Sequence, residues 1–307
     1  MLSRTIAGPL NGFLPGPRVA ERAPAGWSPE PPTRLTLTPL TPTIGAVVEG
    51  VDLSGPVDDE LFAQLDGALL EWKVLFFRGQ HITGEQQATF AANWGPLETH
   101  PFYGTVSGTD AAAPEVVRLE KGADVPGFEN VWHSDVTWRV EPSLGSVLRA
   151  IDVPAVGGDT LWADMGAAYD RLTPELKERI DGLSAVHDWF DNFGLGMPAE
   201  ERERLRPQFP AVEHPVVRTH PATGRRTLYV NRIFTQHIVG LDADESAELL
   251  EHLYLQAGFP EYQCRWSWQQ GDVAFWDNRS TQHYAASDYF PQRRVMERIT
   301  VCGDRPR

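Results

Sequence analysis

Cysteine is scarce in this sequence: Cys264 and Cys302 are the only two among 307 residues. No metal-ligand or redox spacing relates them, which excludes a disulfide framework, a zinc ribbon and a thiol redox motif, and makes a reduced, cytoplasmic setting the expectation. Positive charge is also short. With 27 Lys and Arg against 42 Asp and Glu the formal charge is −15, so binding to nucleic acid or to an anionic membrane is not expected, because phosphate contacts need clustered basic residues. Any anionic ligand must be drawn in by a local basic patch. Long apolar runs are missing as well: no stretch approaches about 18 uncharged apolar residues, the length a membrane span requires. Pro9, Gly12, Pro15 and Gly16 interrupt the segment that could have formed the apolar core of a signal peptide. Internal repeats, heptad runs and low-complexity blocks are absent too.

What is there points to a globular body. Hydrophobic residues make up 41% and aromatics 10%, which is incompatible with global disorder. The length fits one large domain or two small ones, either with a real core. The first 34 residues hold seven prolines and four glycines, which block helix and ladder hydrogen bonds and predict a flexible extension over 1–34 ahead of a single domain over 35–307. Leu10, Phe13, Leu14 and Trp27 could let that extension dock as a lid or an oligomer arm.

From Leu35 onward the spacing of apolar residues predicts helices over 59–72, 83–94, 164–181 and 243–257. Thr83 and Gln86 stand in capping-box spacing at the second of these. Strands are predicted at 44–48, 74–77, 115–120, 144–151, 183–187, 215–219, 227–230, 263–268, 272–276, 281–285 and 293–302. Many short strands without strand–helix alternation indicate a mainly β fold with flanking helices, a sandwich or jelly roll rather than a parallel sheet.

Two segments carry chemistry. In Trp132-His133-Ser134-Asp135, an extended backbone would project the imidazole and the carboxylate to one face, where both could meet one ion. Such a pair is common by chance among nine histidines. The second segment spans 276–298, where His283 and Arg294 flank a loop of turn residues. A hairpin pairing 281–285 with 293–302 would put His283, Arg294, Met296, Arg298 and Thr300 on one face, with Val295, Glu297, Ile299 and Val301 on the other. The arginine face is either solvent or an interior surface paired with anions. Two histidines and a carboxylate on one side of an ion are the facial triad of non-haem Fe(II) oxygenases, and an Arg offers a bidentate fork to the distal carboxylate of a 2-oxo acid.

The motifs WHSDVTW (132–138), GGDTLW (157–162), HPVVRTHP (214–221) and WDNRSTQHYAASDYFPQRR (276–294) resemble the taurine dioxygenase family of Fe(II)- and 2-oxoglutarate-dependent dioxygenases, over a match from about Leu35 to the C-terminus. The resemblance implies a double-stranded β-helix, or jelly-roll, core. It implies His133, Asp135 and His283 as iron ligands and Thr160 and Arg294 as the 2-oxoglutarate anchors. For the substrate it implies His100, Tyr103 and Arg298 around a small anion such as a sulfonate, an alkyl sulfate or a carboxylate. Strict counting puts Glu129 where the family has an asparagine, with Asn130 one residue later. Asn231 and Phe234 fall in a pocket-lining stretch of the family. The implied reaction oxidises an unactivated C–H bond while 2-oxoglutarate and O2 become succinate and CO2. Because Asp135 is present, halogenation is not expected. A carboxylate-bearing intermediate of specialised metabolism, an amino acid or a terpenoid, is the alternative substrate. A Zn(II) hydrolase with the same three ligands and a non-catalytic jelly-roll binding protein are the more distant alternatives. The family likeness also implies a homo-oligomer, a dimer or a tetramer.

Overall fold

A computed structural model of the protein describes residues 21–27, 29–99, 114–125, 127 and 129–307. Fifteen strands are described: β1 (Thr36–Pro39), β2 (Ala46–Glu49), β3 (Val74–Phe77), β4 (Val117–Lys121), β5 (Gly145–Asp152), β6 (Thr160–Asp164), β7 (Ser184–His187), β8 (Val212–Pro215), β9 (Val217–Thr219), β10 (Arg226–Leu228), β11 (Thr235–Ile238), β12 (Gln263–Trp266), β13 (Val273–Asp277), β14 (Thr281–Ala285) and β15 (Arg294–Val301). The α-helices are α1 (Asp59–Trp72), α2 (Gly84–Ala91), α3 (Met165–Asp170), α4 (Pro174–Ile180), α5 (Phe190–Phe193), α6 (Ala199–Leu205) and α7 (Ala243–Leu255).

Seven strands form one sheet in the order β1-β2-β3-β13-β5-β15-β4, and three form a second in the order β12-β6-β14. The alternation of side chains along single strands explains how the two sheets and the helices stack. In β3, Val74 and Phe76 point into the space between the sheets, where they meet Trp162, Trp266, Trp276 and Met296. Leu75 and Phe77 point the other way, to Leu61, Leu65, Leu69 and Trp72 of α1 and Phe90 of α2. A strand buried on both faces reads as an unbroken apolar run, as Val-Leu-Phe-Phe does here. A third cluster joins α3, α4 and α7 beside the smaller sheets β11-β7-β8 and β10-β9. The fold is mainly β with flanking helices around a jelly-roll core, as the strand count predicts.

Several elements differ from their sequence expectation for identifiable reasons. The helix predicted over 164–181 is two helices, because Thr173 caps α4 by accepting from the Leu176 amide and Pro174 occupies its first turn. The one predicted over 83–94 is α2 plus a 3-10 turn, with the capping box between Thr83 and Gln86 formed. The strand predicted over 215–219 divides at Val216 between β8 and β9. Strands β1, β6 and β11 and helices α5 and α6 have no counterpart in the sequence reading; they are short, and their pattern is set by partners distant in the chain. The expected hairpin between 281–285 and 293–302 does not form. β14 pairs with β6, whereas β15 pairs with β5 and β4. The loop between them crosses from one sheet to the other, so His283 and Arg294 face each other across the sandwich interior rather than along a ladder.

The described end of the proline-rich segment is tied to the body. Arg22 lies over the Trp72 ring at 4.2 Å and pairs with Glu71 at 2.6 Å. Arg225 donates to the Glu21 and Arg22 carbonyls, each at 2.9 Å, and Lys73 also donates to the Arg22 carbonyl. Leu10, Phe13 and Leu14 lie outside the described residues.

Phe76 stacks on Trp266 with ring centroids 4.3 Å apart and meets Trp162 edge-on at 5.3 Å. Phe76→Ala is therefore expected to cost about 3–5 kcal/mol of unfolding free energy in a urea titration, since neither indole can collapse into the void. The buried pair His187 and His214 gives a pH prediction. Burial pushes His214 down to about 4 and His187 well below its ordinary value. The unfolded chain takes up protons on both below about pH 6.5 while the folded chain does not, so this stability is complete above that pH and is lost as pH falls toward 4. Wild type should lose up to about 1.4 kcal/mol per pH unit for each histidine in that window, and His214→Gln should show a shallower slope when urea midpoints are compared at pH 7.5 and 5.5.

Candidate active site

His133 and His283 are joined by main-chain bonds in both directions: His133 N donates to the His283 carbonyl at 3.0 Å, and His283 N to the His133 carbonyl at 2.7 Å. This isolated antiparallel bridge fastens the 132–138 segment to the edge of β14 and sets the imidazole rings 4.1 Å apart. Asp135 reaches the same place by a turn, not by strand alternation. The turn places Val136 at φ 48°, a left-handed conformation that is costly for a β-branched residue. Packing against Trp138, Trp189 and Phe234 holds it there.

One ligand atom from each of His133, Asp135 and His283 lies within 4.8 Å of the others. The donors suit a divalent ion. His133 Nδ1 is 2.8 Å from the Val131 carbonyl and donates to it, which fixes the tautomer and leaves the Nε2 lone pair free. Burial holds His133 below its ordinary value. Burial and the neighbouring His133 push His283 down to about 3. Both imidazoles are neutral, as metal ligands must be. Burial pushes the Asp135 carboxyl up, but the Arg298 guanidinium foremost, with the hydrogen bond from Ser146, holds the group well below the usual carboxylate range. His283 Nδ1 is buried without a hydrogen-bond partner among the described residues. Three convergent buried donors, two neutral and one anionic, fit a 2-His-1-carboxylate iron centre.

A second layer, absent from the sequence reading, orients Asp135. Its Oδ2 accepts from Ser146 Oγ at 2.8 Å. Asn278 donates to Ser143 Oγ at 2.9 Å and Ser146 Oγ at 3.2 Å, and its own Oδ1 accepts from Trp276 Nε1 at 2.8 Å. Asn278 was visible within the WDN motif, whereas Ser146 on β5 carries no local signal. β5 can supply it because Gly145 lets the strands close: a Cβ there would fall 2.4 Å from the Trp276 carbonyl oxygen.

The predicted 2-oxo-acid anchors lie together. Arg294 is buried, its Nε donating to the Gly158 carbonyl at 3.1 Å and its NH2 to Thr160 Oγ1 at 3.4 Å. Trp268 Nε1 also donates to Thr160 Oγ1, at 2.9 Å. The GGDT turn makes this possible: Gly158 sits at φ 71°, and a Cβ there would press on Arg294 Cδ at 3.1 Å. Arg298 NH1 donates to Asp135 Oδ1 at 2.7 Å, while its Nε is buried with no partner among the described residues.

One pocket is lined by His133, His283, Thr160, Arg294, Arg298 and Glu129, together with Lys121 and Tyr289, which the sequence reading did not single out. Glu129 pairs with Lys121 at 2.9 Å. Asn130 is exposed and is not among the lining residues. Asn231 and Phe234 are buried on the far side of the turn, where Asn231 bonds Thr137 at 2.9 Å. His100 and Tyr103 lie outside the described residues.

The chain is similar to known proteins over most of its length. The family model described as "Taurine catabolism dioxygenase TauD, TfdA family" matches residues 36–300. An alkylsulfatase of Acinetobacter baylyi is 40% identical over 282 residues, covering 89% of this chain and 87% of that protein. An alpha-ketoglutarate-dependent sulfate ester dioxygenase of Pseudomonas putida is 38% identical over 280 residues, covering 89% and 91%. The crystal structure of a taurine dioxygenase from Burkholderia xenovorans superposes with a TM-score of 0.76 at 37% identity, covering 89% of this chain and 93% of that one.

Replacing Asn278 by Leu keeps the branched outline of the side chain but removes the bonds that hold Ser146 against Asp135. Metal affinity is expected to fall about 10- to 100-fold, measured by titrating the protein with Mn(II) and following its electron paramagnetic resonance.

Proposed function

The chain belongs to the taurine catabolism dioxygenase TauD, TfdA family and is a 2-oxoglutarate-dependent non-haem iron dioxygenase, and from that premise we propose that its prime substrate is a small organic anion, foremost an alkyl sulfate. The observation that carries the proposal is Arg298. Its guanidinium stands beside the His133–Asp135–His283 cluster with a buried Nε that has no partner among the described residues. A buried N–H without an acceptor costs roughly 1–3 kcal/mol, which an anionic oxygen placed there would relieve. The names of the alkylsulfatase and sulfate ester dioxygenase relatives favour a sulfate head over a sulfonate or a carboxylate.

In this reading His133, Asp135 and His283 hold Fe(II). The bound metal, with 2-oxoglutarate and O2, supplies oxidation of an unactivated C–H bond, and succinate and CO2 are the co-products. Arg294 and Thr160 fix the distal carboxylate of 2-oxoglutarate, so the oxo acid meets the ligand cluster in one orientation. Arg298 holds the substrate anion and so decides which carbon lies nearest. Trp276 and Leu148, both buried in the pocket wall, keep water away. When the carbon bearing the sulfate oxygen is hydroxylated, the product collapses to an aldehyde, and sulfate leaves with the C–O electron pair. His100 and Tyr103 complete the anion site in the same proposal. The proposal includes one catalytic domain over 35–307 behind the 1–34 extension, a cytoplasmic location and a dimer or tetramer. The location is supported by two free cysteines and by the absence, among the described residues, of any helix long and apolar enough to cross a membrane.

Succinate release measured against alkyl sulfates, alkylsulfonates, taurine, aryloxyacetates and N-substituted amino acids is expected to be greatest with an alkyl sulfate. A clear preference for an amino acid would move the proposal to specialised metabolism. Wild type, mixed anaerobically with Fe(II) and 2-oxoglutarate, should develop a weak visible charge-transfer band that His133→Ala and Asp135→Ala lack. Arg294→Gln should raise the 2-oxoglutarate requirement sharply. Because Arg298 also bonds a metal ligand, Arg298→Ala should raise KM for the anion most, weaken metal binding less, and leave 2-oxoglutarate affinity least changed.

A further inference from the structure

A buried carboxylate that the sequence reading did not single out stands near Arg298. The segment that carries it joins β15 beyond the reach of β4: Leu97 forms an isolated antiparallel bridge with Val301, and the Glu98 amide donates to the Thr300 carbonyl at 2.8 Å. That register sets Glu98 opposite Thr300, on the sheet face that also carries Arg298. The Glu98 side chain is only 5% exposed and is not among those lining the pocket. Its Oε1 pairs with Arg139 NH2 at 2.7 Å. Arg139 closes the turn that follows Asp135, its amide donating to the Val136 carbonyl at 3.0 Å. Burial pushes the Glu98 carboxyl above its ordinary value; Arg139 and Arg298 pull against that rise and Asp135 adds to it, so Glu98 is in electrostatic reach of both partners of the Arg298–Asp135 bond.

Two guanidinium groups, Arg298 and Arg139, thus stand with two carboxylates, Asp135 and Glu98, and their formal charges cancel. Arg298 keeps its directed N–H groups, including the buried Nε that has no partner among the described residues, while the long-range field of its charge is offset. Directed donors of this kind can hold a head with one negative charge. A doubly charged head of the same shape has more hydration to lose, and these four groups supply no net positive charge to replace it.

We propose that Glu98, acting through Arg298 and balanced by Arg139, makes the prime-substrate site selective for a singly charged head, a sulfate ester over the phosphate ester of the same shape. The inference rests on Arg298 holding the substrate anion. Its effect is confined to that end of the pocket, because Arg294 lies about 20 Å along β15 from Thr300, beyond a Debye length.

Isothermal titration of the full-length protein, loaded with Mn(II) and 2-oxoglutarate and kept anaerobic, compares hexyl sulfate with hexyl phosphate without turnover. At pH 8 the phosphate ester carries two charges and the sulfate ester one. Wild type should bind the sulfate at least about tenfold more tightly. Glu98→Gln keeps the shape of the side chain and removes its charge; it should lower Kd about threefold for hexyl sulfate and about tenfold for hexyl phosphate, since a Coulomb energy scales with ligand charge. Arg139→Gln leaves Glu98 without its counter-charge and should raise both values, that of the phosphate more. Kd for 2-oxoglutarate, titrated into the Mn(II)-loaded protein, should stay within about twofold of wild type in both variants. Equal changes for the two esters, weaker binding of both in both variants, or a shift for 2-oxoglutarate as large as that for hexyl phosphate would make the pair a brace for Arg298 and overturn the proposal. So would a wild type that binds the two esters equally. Arg298→Ala separates this inference from the reading beneath it: unchanged hexyl sulfate binding there overturns both, whereas a large loss there with charge-independent effects at Glu98 overturns the inference alone.

Discussion

Everything in the site hangs on two main-chain hydrogen bonds between His133 and His283. They join segments about half the chain apart, and they do so with backbone atoms, so the side chains remain free for a metal. One partner belongs to the small sheet, at β14; the other opens the tight turn that carries Asp135 past the strained Val136. Because a β-bridge fixes distance and direction at once, the two imidazoles cannot separate without breaking it. The aromatic packing of Trp276 and Trp162 around β14 makes such a break expensive.

The second organising constraint is the cost of burying charge. Asp135, Arg294 and Arg298 are each largely removed from water, beside an apolar wall that includes Trp276, Leu119 and Leu148. Each is tolerable only because it is paired or hydrogen-bonded: Asp135 with Arg298 and Ser146, Arg294 with Gly158 and Thr160. These pairings hold the groups in place before any ligand arrives. They also explain how a chain with a formal charge of −15 can attract anions. The global field is set by the excess of acids over the whole chain, while the local field in the pocket is set by Arg294 and Arg298 at short range.

Legibility in the sequence followed the range of the interactions concerned. The helix 59–72 and the strands 74–77 and 281–285 stand at their predicted bounds, because local periodicity and capping specify them. The break at Thr173-Pro174 was also written locally, in a capping residue followed by proline, and an amphipathic pattern running through it concealed the stop. The hairpin between β14 and β15 was misplaced for a different reason. Two neighbouring strands with a turn-rich loop look alike whether the loop closes a hairpin or crosses between sheets, and only the partners β6, β5 and β4 distinguish the cases.

The same division runs through the site. His133, Asp135, His283, Thr160 and Arg294 were proposed by motif, because metal and carboxylate chemistry restricts which residue types can serve, and the fold brings the first three together and Arg294 to Thr160. Ser146, Lys121 and the bonding role of Asn278 were invisible, since a serine on a strand or a lysine at a sheet edge acquires meaning only from what lies opposite. By itself the sequence determined the chemistry available: two histidines and a carboxylate suited to a facial triad, an arginine suited to a carboxylate, a short supply of thiols and an acidic net charge. The tertiary structure alone decided where the charges point and which of them are neutralised, because electrostatic energy and hydrogen-bond geometry depend on distances between residues far apart in the chain.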